Sequence, residues 1–197
     1  MQPRPDPRLL HIWADLRAFS ALANDAEELN KAMQPGLFHK LNTTVVSRLT
    51  RLEYDQGSLS EVLRLVMLAY VKTLVIRLKG FGKSMKYIAE QLEANLGSLT
   101  LMSSENSPLF LWILLTVAIS VFENLEPDWL RSGLERAVTT LGLKHWSEAK
   151  SILKKFMWIN GLHDLPGELL FLELSKDVTE ETEEGSKRTY PPFLLSA

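Results

Sequence analysis

The segment "LKGFGKS" (Leu78–Ser84) is the first place in this 197-residue chain where residue spacing suggests chemistry. A phosphate loop carries Gly five residues before its Gly-Lys-Ser, because the backbone must bend for successive N–H groups to face the phosphates. Here that position is Arg77, and the residues before it read as helix rather than strand. Gly80 and Gly82 then read as a turn between two helices, where glycine supplies unusual φ values, and nucleotide binding is not expected. Lys72, Arg77, Lys79, Lys83 and Lys86, with Phe81 and Tyr87 nearby, form a local basic cluster that could meet phosphates or an acidic partner. In a chain of net charge −2, a solvated basic edge is the simpler account. No base-reading helix stands out, so direct nucleic-acid binding is not expected.

The remaining chemistry-bearing residues do not group. His11, His39, His145 and His163 include no pair at i,i+4 on one helix and no His-Glu-x-x-His frame, so no metal site is nominated. His163-Asp164 with Glu168 reads as a helix start, with Asp164 as N-cap and Glu168 in the first turns. There is no Gly-x-Ser-x-Gly elbow and no carboxylate pair. The chain has no cysteine, which excludes disulfides, a thiol nucleophile and cysteine-ligated zinc or iron–sulfur clusters. The expectation is a protein that is not an enzyme, with no catalytic, metal or cofactor residues.

The elements that would position any site are helices. Leu109–Phe122 gives 14 residues without charge, short of the roughly 20 a bilayer requires. Ser107 as N-cap with Pro108 at N1 starts it as a central core helix, apolar all round because other helices surround it. No membrane span is expected, and the N-terminus lacks the apolar core of a secretory signal. Asp6-Pro7 opens a first helix carrying Leu9, Ile12, Trp13, Leu16 and Phe19 at helical spacing. A short second helix is expected over Ala26–Met33, broken by Gln34-Pro35-Gly36, and a third stripe is Phe38, Leu41, Val45, Leu49 and Leu52.

Ser58-Leu59-Ser60-Glu61 reads as a capping box before a long apolar helix reaching about Lys79. Met85, Ile88, Leu92 and Leu96 mark the next helix, ended by Gly97. Glu126-Pro127-Asp128 starts another, with Leu130, Leu134, Ala137, Val138 and Leu141 inward and Gly142 as stop. Trp146, Ala149, Ile152, Leu153, Phe156 and Met157 follow as a stripe, Asn160-Gly161 as a turn, and a last helix from about Leu165 to Lys176. No stretch alternates as a strand would, and no repeat has a fixed period.

The fold class is therefore all-α: a single multi-helix globular domain over residues 1–176, with an acidic, disordered tail over 177–197. Residues 1–100 carry 13 basic and 10 acidic groups, residues 101–197 carry 9 and 14, and much of the excess acid sits in that tail. "DVTEETEEGSKR" has five carboxylates and few apolar groups, so burial cannot offset the entropy of ordering it. The tail, ending in "TYPPFLLSA", is either solvated or an acidic-plus-hydrophobic segment that docks on a partner. Trp13, Trp112, Trp129, Trp146 and Trp158 are expected in the core, and truncating Trp112 there would cost about 3–5 kcal/mol.

The succession of these elements carries a resemblance. Pro108-Leu109-Phe110-Leu111-Trp112 opens an apolar helix; "LGLKHWSEAKSILKKFMW" (Leu141–Trp158) and "DLPGELLFLEL" (Asp164–Leu174) follow. This resembles the C-terminal regulatory region of fungal zinc-cluster transcription factors, in which a Pro-Leu-Leu-Trp type helix leads to a Leu-Gly-Leu…Trp segment and a Leu-x-x-Phe-x-Trp ending. The positions that match are Leu141, Gly142, Leu143 and Trp146, then Leu153, Phe156 and Trp158. An Arg/Leu-rich first helix and "LSEVLRLVMLAYV" (Leu59–Val71) fit as well, so the likeness covers about residues 8–175.

The resemblance implies a helical regulatory domain that acts in the nucleus by masking, effector sensing or contact with protein partners. The family's DNA-binding module is a six-cysteine cluster holding two zinc ions, and this chain has no cysteine with which to build it. Either the chain is one part of a longer factor or it belongs to a lineage that has lost DNA binding. A helical small-molecule binder or enzyme, with a pocket between the Phe110–Phe122 helix and its neighbours, is the alternative, and a small-molecule effector stays open under both.

Overall fold

The computed structural model describes residues 6–33, 35–75, 86–96, 106–122, 125 and 127–186, with backbone alone at 35, 38, 75 and 175–186. Among the described residues there are eight α-helices and no strand, so the chain is all-α.

Helix α1 spans Pro7–Glu28. Asp6 caps it by accepting the Arg8 N–H at 2.8 Å, and Pro7 fits N1, where no N–H is needed. Its Leu9, Ile12, Leu16 and Phe19 are buried, as their spacing predicts. The helix then runs straight through Ala26–Glu28, where a separate helix over Ala26–Met33 is expected. Asn30, at φ 51°, ends it: the Lys31 N–H bonds Ala26 O and the Asn30 N–H bonds Glu27 O, a Schellman closure with Asn in the left-handed position. Residues 31–33 are not helical.

Helix α2, Pro35–Leu49, buries Val45 and Leu49, and Leu52 is buried just beyond it. Helix α3, Leu59–Val75, opens with half of the expected capping box. The Glu61 N–H donates to Ser58 Oγ at 3.2 Å, but the Glu61 carboxylate turns to Arg64, with bonds of 2.7 and 2.6 Å. Helix α4, Lys86–Leu96, buries Leu92 and is tied down by Asn95, whose Oδ1 accepts the Gly57 N–H at 2.7 Å.

Helix α5, Ser107–Val117, is the centre of the molecule. Every residue from Phe110 to Val117 is buried, with α3, α6 and α7 packed around it. Asn106 takes the N-cap position and Ser107 is the first helical residue, so the helix starts one position earlier than the sequence suggests. The helix widens into a π-helical turn at Ala118–Phe122. There Ser120 Oγ donates back to Thr116 O, and Lys72 of α3 donates its ammonium to Ser120 O at 3.0 Å. No helix among the described residues is long and apolar enough to cross a membrane.

Helix α6, Asp128–Leu141, ends on Gly142 at φ 64°, with the Leu143 N–H bonded to Val138 O and the Gly142 N–H to Thr139 O. Helix α7, Trp146–Leu153, starts with Glu148 accepting the N–H groups of Lys144 and His145 at 2.7 and 3.1 Å. Helix α8, Asn160–Ser186, is longer at both ends than the expected Leu165–Lys176. Gly167 on it lets two rings approach: an added Cβ would sit 2.7 Å from Trp146 Cη2 and 3.0 Å from Trp158 Cζ2. The helical backbone continues past Lys176 into the carboxylate-rich stretch. Glutamates favour helix as readily as solvent, so composition argues about burial and not about backbone. Leu174 is the last buried residue whose side chain is described, and 187–197 of the expected tail lie outside the described residues. One apolar core unites α1 to α8.

Candidate functional site

The start of α8 decides what the surface offers. The chain leaves α7 through Trp158, whose Nε1 donates to Asp164 Oδ1 at 2.8 Å, while the Lys150 ammonium holds Asp164 Oδ2. Asp164 is therefore an anchor for α7 and Trp158 inside α8, not the N-cap its sequence context suggests. The cap comes from α1 instead. Asn24 accepts the Asn160 N–H at 2.9 Å and donates to Trp158 O at 2.8 Å; Glu27 Oε2 accepts the Gly161 N–H at 3.0 Å. A carboxylate at a helix N-terminus is favoured by the backbone dipoles. Gly161 makes the approach feasible, since a Cβ there would lie 2.6 Å from Glu27 Oε1.

One turn on, His163 is buried with both ring nitrogens engaged. Nδ1 accepts the Ile159 N–H at 3.0 Å, so the proton sits on Nε2 and points at Thr73 Oγ1, 2.8 Å away. The Thr73 hydroxyl donates to Tyr70 O, and the Tyr70 hydroxyl meets Ser20 Oγ at 2.6 Å. Burial pushes the His163 ring down to about 4 and the Tyr70 phenol upward. These groups form a satisfied polar thread from α1 through α3 to α8, and neither nitrogen of His163 is left to move a substrate proton.

Beside this thread lies a cleft of about 320 Å³ between α1, residues 31–33, the end of α3 and the start of α8. Its walls are apolar: Phe19, Ala23, Met33, Leu74, Ile159 and Leu162. Glu27 and Lys31 supply its charged groups. The face of α8 turned away from the core carries a second feature. Leu165, Leu169 and Leu172, at i, i+4 and i+7, are 70%, 59% and 48% exposed. Glu168 lies among them, and Glu173 at the end of the stripe pairs with Arg131 of α6 at 2.6 Å.

The other sequence candidates fall apart in space. His11, His39 and His145 lie at the surface on different elements, and among the described residues no three His, Asp or Glu side chains converge as a metal site. Gly80 to Ser84, Arg77 and Lys79 lie outside the described residues. Of the basic cluster, Lys72 is spent inside the fold on Ser120 O, Lys86 faces Glu90 at 4.0 Å on the surface, and Tyr87 is exposed. The alternative reading places a pocket beside the Phe110–Phe122 helix; that helix is buried from Phe110 to Ala118, and the cleft described above is a different one, across α1 and α8. Of the cleft and the leucine stripe, only the stripe had a signal in the sequence. Leucines over residues 162–174 exceed what one buried face can hold, so some must face out.

The residues that carry the family resemblance pack as structure. Leu153 and Trp158 are buried; Leu141, Leu143, Trp146 and Phe156 lie against the same core; Gly142 makes the left-handed turn. Compared with known proteins, the chain matches no family model, no curated protein and no solved structure.

Proposed function

We propose that this chain is a regulatory domain of the kind found in fungal zinc-cluster transcription factors, acting in the nucleus by protein association and not by catalysis. The observation that carries the reading is the α8 stripe. Leu165, Leu169 and Leu172 line up on one helix face and stay exposed, while Leu170, Phe171 and Leu174 of the same helix fill the core. Three exposed leucines in register form the surface that an amphipathic partner helix takes, through anchors at matching i, i+3/i+4 and i+7 positions. Glu168 beside the stripe favours a partner helix with basic residues on its flank. Two surfaces of this same kind would bring Glu168 against its own copy, which disfavours self-pairing. With no cysteine in the chain, the family's zinc-cluster contact with DNA has to come from another module or from the partner.

The test is a reporter strain in which the chain is fused to an unrelated DNA-binding module. The fusion is expected to change reporter output severalfold over the module alone. Substituting Leu165, Leu169 and Leu172 together by Glu is expected to return output to that baseline, with far-UV circular dichroism and Tm retained. An unmoved reporter with the wild-type fusion sinks the regulatory reading; full activity of the triple variant sinks the role of α8.

The cleft favours a second reading, effector sensing. At about 320 Å³ it lies within the range of small-molecule sites, and it is bounded by both α1 and α8.

A further inference from the structure

We propose that the cleft between α1, α3 and α8 binds a small amphipathic monoanion, an apolar body of about ten heavy atoms with one carboxylate held by Lys31. This deepens the effector reading by naming the ligand class. The size follows from the volume: about 320 Å³, against roughly 30 Å³ for a water-sized group in a liquid, holds about ten such groups. The body follows from the walls. Phe19, Leu74 and Ile159 form a floor that is itself almost fully buried, and Met33 adds a side chain that adapts to irregular shapes.

The head group follows from the two charges. Glu27 is already committed, accepting the Gly161 N–H at the start of α8. Lys31 has no ion pair among the described residues, and the left-handed turn at Asn30 carries the chain directly into it. A ligand anion therefore finds its counter-charge at Lys31. A dianion such as a phosphate monoester would also meet the Glu27 carboxylate on the same wall, which selects a single negative charge. A cation would find only Glu27, one oxygen of which already accepts the Gly161 N–H of α8. A ligand bridging Lys31 to the floor spans α1 and α8, so occupancy stabilises the contact between them.

Titration calorimetry and thermal unfolding of the full chain test this with decanoate below its micellar concentration, beside decylammonium and decyl phosphate. The expected result is saturable binding of decanoate at one site with a rise in Tm, and at least about tenfold weaker binding of the other two. Lys31→Glu is expected to weaken decanoate by a similar factor and to reverse the preference toward decylammonium. Ala23→Phe is expected to fill the cleft and abolish binding; should it fail to fold, Lys31→Glu at the exposed turn still decides the matter. Absence of saturable binding, equal binding of decanoate and decylammonium, or an unchanged Kd in Lys31→Glu overturns the proposal. Sedimentation with phosphatidylglycerol vesicles in the absence of decanoate binding overturns it too, by assigning the cleft to a lipid surface. Because binding is measured on the chain alone, a silent reporter leaves this result standing, and a failed titration leaves the reporter result standing.

Discussion

Around α5 the helices meet through rings and branched side chains, whereas around the start of α8 they meet through hydrogen bonds. Trp112 is the hub of the first region. It is fully buried, set edge-on against Trp13 at 5.1 Å and stacked near Phe156 at 6.0 Å, with its Nε1 donating to Met157 O at 2.8 Å. Trp146 and Trp158 close the same region over Gly167. In the second region Asn24, Glu27, His163, Thr73, Tyr70 and Ser20 stitch α1, α3 and α8 together beside an open cleft. The first region gains from burial, which is non-directional and grows with area. The second gains from directional bonds whose partners are costly to orphan. The difference places rigidity at α5 and adjustability beside the cleft.

The sharpest way to break the ring-built region is Trp112→Ala. The change removes a fully buried indole, opens a cavity and leaves Met157 O without its donor. It is expected to cost about 3–5 kcal/mol, read as a lower urea midpoint at unchanged m-value. A loss below about 1 kcal/mol would mean that the hub lies elsewhere.

The two regions were also unequally readable in the sequence. Around α5 the reading rests on apolar spacing and on local caps. Asp6-Pro7, Pro108 and Gly142 mark helix ends through their own backbone chemistry, and the structure places each within one residue of the reading. Around α8 the deciding contacts join residues far apart in the chain. Asn24 and Glu27 cap a helix that begins some 135 residues later, so nothing local to Asn160 announces the start of α8. Asp164 looks like an N-cap because Glu168 follows where the first turns would be, yet its oxygens belong to Trp158 and Lys150. Lys72 reads as part of a basic edge until α5 widens into the π-helical turn and presents Ser120 O to it. The cleft has no sequence signal, since its walls come from four separate segments.

The polar region should reveal itself by pH. His163 holds its proton only below about 4 in the folded chain, against 6.5 when unfolded. Between those values the unfolded chain binds a proton that the folded chain refuses. Stability therefore falls as pH drops from about 6.5 to 4, by about 3 kcal/mol in all, and the group contributes no pH dependence above about 7. Asp6 and Glu148 titrate lower. Arg8 holds the Asp6 carboxyl down at about 2, and the N–H groups of Lys144 and His145 hold Glu148 below its ordinary 4.5. The window above pH 4.5 therefore isolates His163. Urea midpoints of wild type and His163→Gln from pH 7.5 to 4.5 should converge toward acid; parallel curves would remove His163 from the thread.

The smallest expected effect tests the cap that α1 lends to α8. Asn24→Ala removes two bonds at once, to the Asn160 N–H and to Trp158 O, both at a partly buried junction. A lost cap and an unpaired carbonyl together cost about 2 kcal/mol. Asn24→Asp separates the two bonds, because a carboxylate still accepts from Asn160 while it cannot donate to Trp158 O. Its negative charge at the helix N-terminus offsets part of the loss. The aspartate variant should therefore fall between wild type and the alanine variant in Tm. Hydrogen exchange at Asn160 and Gly161 should quicken in the alanine variant alone, while amides of α5 keep their protection. If α5 loosened as much as α8, the two regions would be one cooperative unit, and the contrast between a rigid ring-built centre and an adjustable polar junction would fail.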